Sequence, residues 1–126
     1  MKTLIAPTMQ DCVYAGPTGN VSKAMGEMVL KHVPPETNIE LLSLPIGLKL
    51  LGARMVTDGL GTNVSVELWV GDQVLAVDVE VEKEGVFEAH FMPIYLTQPA
   101  TLTAKIKGGT ASGHLLVVPE YLSVGF

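Results

Sequence analysis

Apolar and polar residues alternate along much of this 126-residue chain, most regularly between positions 64 and 81. Two successive runs place an apolar residue at every second position: Val64, Val66, Leu68 and Val70, then Leu75, Val77, Val79 and Val81. A period of two is typical of strands that bury one face. Gly71-Asp72 forms a short polar break between the runs. We therefore expect the two runs to pair as an antiparallel hairpin.

Further strand patterns lie on both sides of this hairpin, at 25–33, 37–44, 48–58, 86–92, 101–107 and 114–118. The adjacent Leu41 and Leu42 break one alternation and predict a β-bulge. The segment 48–58 is apolar on both faces, which predicts a strand that is covered on both faces for part of its length. Pro93 is expected to end or bend its strand. The residues from Pro119 onwards are expected to run out as an extended apolar tail.

About eight strands without a convincing helix predict an all-β fold. The high content of turn-forming residues, 13 Gly and 8 Pro, agrees with many short strands. An antiparallel β-sandwich of the jelly-roll or Greek-key type and a barrel both suit such a pattern. The number of strands and the long first and last connections favour a jelly-roll sandwich.

Residues 1–24 have no sustained period and are interrupted by Pro7, Gly16, Pro17 and Gly19. They nevertheless carry apolar residues that a solvated tail would not need: Leu4, Ile5, Met9, Val13 and Tyr14. We interpret 1–24 as an extended N-terminal arm and 25–126 as a β-sandwich domain. The arm would dock on its own domain or on a neighbouring subunit; a strand plus a loop of the same domain is an equally good interpretation.

The net charge of -5 and the pI near 5.0 disfavour binding to nucleic acid and to anionic membranes, which both need a basic face. No apolar stretch approaches the ~18–20 residues of a membrane span. The N-terminus does not read as a signal peptide, so we expect synthesis in a cytoplasm. The single cysteine, Cys12, excludes an intramolecular disulfide and is expected to be a small apolar filler.

No residue cluster in the sequence predicts a catalytic, cofactor-binding or metal site, so we expect a protein that is not an enzyme. His32, His90 and His114 fall on separate strands and form no metal-binding motif. The carboxylates of Asp78, Glu80, Glu82 and Glu84 share one face at a two-residue spacing. This row is most simply the solvated side of a strand, although calcium, a basic partner or protection against edge aggregation would also fit it.

Trp69 falls on the face that Ser65 and Glu67 mark as polar. A large aromatic side chain there is either a contact for a partner protein or is covered by the N-terminal arm. Apolar residues near both chain ends likewise predict that the termini pack on another surface. The candidate partner contacts are therefore Leu4, Ile5, Val13, Tyr14, Trp69 and Phe126.

The segment 42–72 resembles small structural proteins of tailed bacteriophages. In that pattern a Leu-Pro-x-Gly turn, here Leu44–Gly47, precedes a strand, and an Asp-Gly turn, here Asp58-Gly59, precedes an alternating strand. The strand pattern that begins at Gly26 resembles the opening strand of such domains. The resemblance covers about the middle half of the chain, and it specifies a fold rather than a site.

This resemblance implies a virion protein such as a capsid decoration (cement) protein, a class that commonly has a β-sandwich fold and often forms trimers. The expected partners are the major capsid protein or another virion protein and further copies of this chain, with the trimer favoured. A glycan-binding or host-recognition module of a phage fibre or tail is the alternative. That module would present exposed aromatic residues, for which Trp69, Tyr95 and Tyr121 are the candidates. A cupin-type enzyme would need a histidine-rich metal site, and the sequence lacks the spacing.

Overall fold

The computed structural model describes residues 2–10, 13 and 21–123. It describes the side chains of all of these except residues 2, 78 and 123. Apart from a single 3₁₀ turn at Pro7–Gln10, the regular elements of the described residues are all strands. In chain order they are β1 (Lys2–Ile5), β2 (Val21–Lys23), β3 (Gly26–Val33), β4 (Thr37–Leu44), β5 (Leu48–Asp58), β6 (Ser65–Val70), β7 (Gln73–Glu80), β8 (Glu84–Tyr95), β9 (Ala100–Lys107) and β10 (Ala111–Ser123).

The strands form two sheets. The first sheet has the order β1-β4-β9-β6-β7, and the second has the order β2-β10-β5-β8, with β3 also pairing with β10. Without β1 and β2, the orders β4-β9-β6-β7 and β3-β10-β5-β8 are those of an eight-stranded jelly roll. All pairs are antiparallel except β1 with β4. The prediction of an all-β sandwich of jelly-roll type is thus confirmed.

The inner faces of the two sheets pack against each other and form one apolar core. The predicted hairpin is the β6–β7 pair, and its first strand buries Val66, Leu68 and Val70 as the alternation predicts. On β9 the inward residues Leu102, Ala104 and Ile106 are also buried. Removing apolar surface from water contributes about 25 cal/mol per Å², so this layer of aliphatic side chains is the main source of stability.

Register shifts explain where the alternation along a strand changes phase. The predicted bulge in β4 is confirmed, because its pairing with β9 shifts between Glu40 and Leu42. In β5 a shift between Leu50 and Gly52 changes which positions point inward. Leu50 and Met55 can then both be buried on the same inner face although they lie five positions apart. The prediction that 48–58 is covered on both faces is therefore wrong, since a bulge accounts for its pattern.

Two further strands depart from the sequence patterns. In β7 the pairing with β6 shifts near Ala76, so that Val77 is exposed although the period of two places it with the buried residues. β8 continues through Pro93 to Tyr95, and Pro93 lies in the unpaired stretch between His90 and Ile94. Because Pro93 has no ladder partner, its missing N–H costs no hydrogen bond, and the strand continues past it.

The stretch from Pro119 to Ser123 is more regular than its sequence suggests. β10 runs from Ala111 to Ser123, so residues 119–123 are a strand and the prediction of a tail from Pro119 is wrong for them. They pair with both β2 and β5. Tyr121 is fully buried there, and it makes this stretch part of the core.

The N-terminal residues that the structure describes join the sandwich. β1 adds a parallel edge strand to the first sheet beside β4, and β2 pairs with the end of β10 in the second. These two short strands raise the count from about eight to ten among the described residues. The division between an arm at 1–24 and a domain at 25–126 stays a prediction.

Thr8, in the 3₁₀ turn, links the two sheets on the side where β3 and β4 lie. Its hydroxyl group donates a hydrogen bond to the Leu41 carbonyl of β4 at 2.6 Å. The same oxygen accepts one from the Glu27 N–H of β3 at 3.2 Å. One buried side chain thus satisfies a backbone group in each sheet, next to the β4 bulge.

We predict that Thr8→Val lowers the free energy of unfolding by about 1–3 kcal/mol, because the isosteric side chain leaves two backbone groups without their partner. Chemical denaturation of the purified protein measures this loss. Thr3→Val in the exposed part of β1 is the matched control and is expected to change stability by less than about 0.5 kcal/mol. Equal losses in the two variants would contradict the bridging role of Thr8.

Candidate partner-binding surfaces

The outer face of the first sheet carries a row of side chains that crosses four strands. Strand registers place Ile5 beside Glu40, Glu40 beside Thr103, and Thr103 beside Trp69. We call these four residues the Trp69 row. Ile5 is 65% exposed at one end, and Trp69 is half-buried at the other. The row therefore has an apolar residue at each end and polar residues between them.

A shallow hollow of about 270 Å³ lies along this row. It is lined by Thr3, Asn38, Glu40, Trp69, Gly71, Asp72, Thr103 and Lys105. The indole Nε1 of Trp69 donates a hydrogen bond to Glu67 Oε1 at 3.1 Å, which holds the ring along β6. The hollow thus combines an aromatic ring with hydroxyl, amide and charged groups, a composition suited to contacts with protein or with sugar hydroxyls.

A charged cluster borders the same face where β9 ends. Glu36 Oε2 lies 3.3 Å from Lys107 Nζ and 3.6 Å from Lys105 Nζ. The hydrogen bond from Lys107, supported by the charges of both lysines, lowers the pKa of the Glu36 carboxyl group. The same hydrogen bond raises the pKa of Lys107. The cluster joins the turn before β4 to β9 and sets the charge at this end of the sheet.

The predicted contact residues fall into three groups. Ile5 and Trp69 share the outer face of the first sheet, as described. Leu4 and Val13 are partly buried and pack against the core of this chain. Tyr14 and Phe126 lie outside the described residues. Whether any of them touches a partner stays a prediction.

The aromatic residues considered for sugar binding do not converge on one site. Tyr121 is fully buried in the core, so the prediction that it could be an exposed binding residue is wrong. Tyr95 is exposed at the end of β8 in the second sheet, whereas Trp69 lies on the first sheet. Of these three aromatic residues, Trp69 lines the hollow on the first sheet.

Sequence reasoning missed a second surface, at the side of the sandwich where the edge strands β7 and β8 meet. Both edge strands carry exposed apolar residues: Val74 and Val77 on β7, and Val86, Phe87 and Met92 on β8. A cleft of about 550 Å³ separates the two edges and is lined partly by Val77, Phe87 and the carboxylate-bearing turn at 80–84. Only the strand order reveals these positions as edges, because alternation alone gives them the pattern of ordinary sandwich strands.

The described ranges, 2–10, 13 and 21–123, hold neither a cluster of metal ligands nor a helix that could span a membrane. No group of three or more His, Cys, Asp or Glu side chains there is placed to hold a metal ion. His114 instead lies 2.9 Å from Glu27 and His90 lies 4.0 Å from Glu88, on the outer face of the second sheet. None of the described helical segments has the length and apolar character needed to cross a bilayer.

The fold is similar to chains in three phage capsids. A chain from the capsid of Ralstonia phage GP4 superposes with a TM-score of 0.76 and 17% identity, over 98% of this chain and 99% of that chain. A chain from the capsid asymmetric unit of cyanophage Pam1 gives a TM-score of 0.63 and 18% identity, over 89% and 94% of the two chains. A chain from the acid-stable capsid of Helicobacter pylori bacteriophage KHP30 gives 0.57 and 12%, over 84% and 90%.

The resemblance to phage structural proteins is thereby confirmed at the level of the fold. By sequence, no protein-family model and no curated protein matches this chain. The architecture, rather than any shared motif, carries the similarity.

We predict that Glu36→Gln lowers the melting temperature at neutral pH and that the difference from the unmodified protein disappears in acid. A lowered carboxyl pKa means that the folded state favours the ionised group. Its stabilisation is present above the ordinary value of 4.5 and is lost as the pH falls through the lowered pKa. Thermal melts from about pH 7 to about pH 3 measure the effect. A melting-temperature difference between the two proteins that stays constant across this range would contradict the stabilising role of the Glu36 carboxylate.

Proposed function

We propose that this protein is a non-enzymatic structural component of a phage virion, a capsid decoration (cement) protein that binds the major capsid protein and further copies of itself. The observation that carries the proposal is the nearly end-to-end match with a chain of the Ralstonia phage GP4 capsid. Because the match covers almost all of both chains, the matched chain is of similar length. A small β-sandwich within a capsid is the arrangement that a cement protein requires.

The surface proposed to contact the capsid is the outer face of the first sheet around the Trp69 row. Ile5 offers exposed apolar area, and the half-buried Trp69 offers a large ring with little freedom to lose on binding. Glu40, Thr103 and Lys105 supply polar groups around them. Protein interfaces combine apolar anchors with a polar rim in this way.

Decoration of a particle places many copies in fixed positions, so weak contacts between neighbours add to the contact with the shell. Linking binding events raises the effective concentration of each partner and strengthens the whole assembly without a new strong contact. The expected homo-oligomer, with the trimer favoured, stays a prediction. Mass measurement of the purified protein and of decorated particles determines the number of copies.

We predict that Trp69→Ala weakens binding to undecorated phage capsids by about tenfold or more, since buried aromatic anchors commonly cost at least about 2 kcal/mol when truncated. Ile5→Ser is expected to weaken binding in the same direction by a smaller factor. Co-sedimentation of purified protein with capsids of the parent phage measures both effects.

The matched control is Val29→Thr, because Val29 is 61% exposed on β3 of the second sheet, away from the Trp69 row. It is expected to bind like the unmodified protein. Melting temperatures of all three variants separate loss of binding from loss of folding. Unchanged binding of Trp69→Ala, or equal losses in all three variants, would contradict the assigned face.

Glycan binding is the second candidate function, and the hollow at Trp69 is the observation in its favour. An indole ring beside hydroxyl, amide and carboxylate groups offers both stacking and hydrogen bonds to a sugar. A glycan array tests it with Trp69→Ala as the control. Specific sugar binding that Trp69→Ala abolishes, together with no binding to capsids, would replace the cement assignment.

A further inference from the structure

The cleft of about 550 Å³ between β7 and β8 has an apolar interior. Its lining includes Met55, Val79 and Val81, which are almost fully buried, and Val77 and Phe87, which are exposed. No other described strand pairs with the outer edge of β7 or of β8, so the cleft lies at the side of the sandwich. We call it the Phe87 cleft. An exposed apolar surface with this shape is typical of a place where another chain docks.

Gly85 leaves part of the Phe87 cleft unfilled. In the register between β5 and β8, Gly85 lies opposite the buried Thr57. Phe87, two positions along the strand, lies opposite the buried Met55. A side chain at position 85 would therefore point to the same side as Phe87, into the cleft. A Cβ atom built there has the Lys83 carbonyl oxygen, at 4.0 Å, as its nearest neighbour among the described residues, and Gly85 has no positive φ.

A strand glycine that the fold requires has different surroundings. A Cβ atom built at Gly26 in β3 would lie only 2.9 Å from the Leu41 Cβ, so packing between the two sheets requires glycine at that position. Neither crowding nor backbone conformation explains Gly85 in this way. A glycine inside a strand forgoes side-chain packing, and it often marks a place where a ligand or another backbone approaches closely.

The connection from β7 to β8 gives the cleft an acidic rim. Glu80, Glu82 and Glu84 line the cleft together with one lysine, Lys83, and all four are exposed. No described basic side chain forms an ion pair with any of these three carboxylates. Complementary charges steer partners and fix their position at interfaces, so the rim favours an occupant with Lys or Arg side chains.

A second copy of this chain is poorly matched to that rim. The chain has 13 Asp and Glu residues against 8 Lys and Arg residues. Four of the basic side chains already pair with carboxylates of their own chain at 3.1–3.8 Å: Lys23, Arg54, Lys105 and Lys107. Charge complementarity therefore favours a different protein as the occupant of the cleft.

We propose that the Phe87 cleft binds an extended segment of the major capsid protein that carries Lys or Arg beside apolar residues. Its apolar side chains contact Val77 and Phe87, its basic side chains contact the acidic rim, and its backbone passes over Gly85. Both walls are strand edges, so an extended segment also finds backbone groups for hydrogen bonds. The identity of the partner rests on the proposed function, whereas the chemistry of the segment follows from the cleft itself.

Two synthetic peptides test this chemistry without a capsid. One is acetylated and amidated Lys-Val-Lys-Val-Lys-Val, and the other has Glu in place of each Lys. Fluorescence anisotropy of the labelled peptides with the purified protein measures their affinities. The lysine peptide is expected to bind at least about tenfold more tightly than the glutamate peptide. Its affinity is expected to fall between about 0.05 and about 0.5 M salt, because salt screens exposed charges.

Substitutions at Gly85 fill the cleft by increasing amounts. Because the position has open space, neither Gly85→Ala nor Gly85→Leu is expected to lower the melting temperature. Gly85→Leu is expected to weaken binding of the lysine peptide at least about tenfold, since its side chain occupies space that the segment needs, and Gly85→Ala by a smaller factor. A fall in the melting temperature of Gly85→Ala would contradict the assigned role of Gly85.

A pair of double variants tests the acidic rim. Glu80→Gln with Glu82→Gln is expected to weaken binding of the lysine peptide about threefold or more. Glu88→Gln with Glu120→Gln removes the same number of charges outside the cleft and is the matched control, expected to bind within about twofold of the unmodified protein. Equal losses in the two double variants would show attraction to the net charge alone and would overturn the proposal.

Co-sedimentation with undecorated capsids of the parent phage tests the identity of the partner. Gly85→Leu is expected to weaken capsid binding at least about fivefold although Trp69 is intact. Peptide binding that Gly85→Leu leaves unchanged would overturn the proposal, and so would unchanged capsid binding of Gly85→Leu when the unmodified protein binds. Peptide binding with the expected losses, but no capsid binding by the unmodified protein, would support the chemistry of the cleft and overturn the proposed function together with the partner that rests on it.

Discussion

The structure depends on one constraint, that each of two sheets must bury one face against the other. The inner faces meet in a layer of Leu, Val, Ile, Ala and Met side chains, and this layer is the source of most of the favourable free energy of folding. Side chains alternate along a strand, so every strand must keep its apolar residues in phase with the core. Where the spacing of apolar residues drifts, a bulge restores the phase, as in β4 near Leu41 and in β5 near Leu51.

The two sides of the sandwich are finished differently, and this difference shapes what the protein can bind. On the side of β3 and β4, the 3₁₀ turn lies against both strands and Thr8 satisfies a backbone group of each. On the side of β7 and β8, no other described strand pairs with the outer edges, and a cleft lined partly by exposed apolar residues lies between them. The proposed contact with the capsid uses the outer face of the first sheet, which carries Trp69. The net charge of -5 disfavours non-specific association between such surfaces.

Much of the fold could be predicted from the sequence because its signals are local. Turn residues set the bounds of β4 and β5, and the period of two identified the inward residues of β6 and β9. Three features could not be predicted, because each depends on which strand lies alongside. They are the positions of β7 that point inward, the continuation of β8 through Pro93 and the strand after Pro119. The short strands β1 and β2 are held by β4 and β10, which are distant in sequence. Trp69 was identified as a surface aromatic from the polarity of its neighbours, whereas the apolar edge of β8 follows only from strand order.

In the proposed role, the jelly roll decorates a phage head and its first sheet faces the shell. Cryo-electron microscopy of undecorated capsids of the parent phage, incubated with the purified protein, measures this directly. We expect one sandwich-shaped density at each equivalent position on the capsid surface, with the Trp69 face turned towards the major capsid protein. Bare capsids at saturating protein, or density that contacts the shell only through the second sheet, would contradict it.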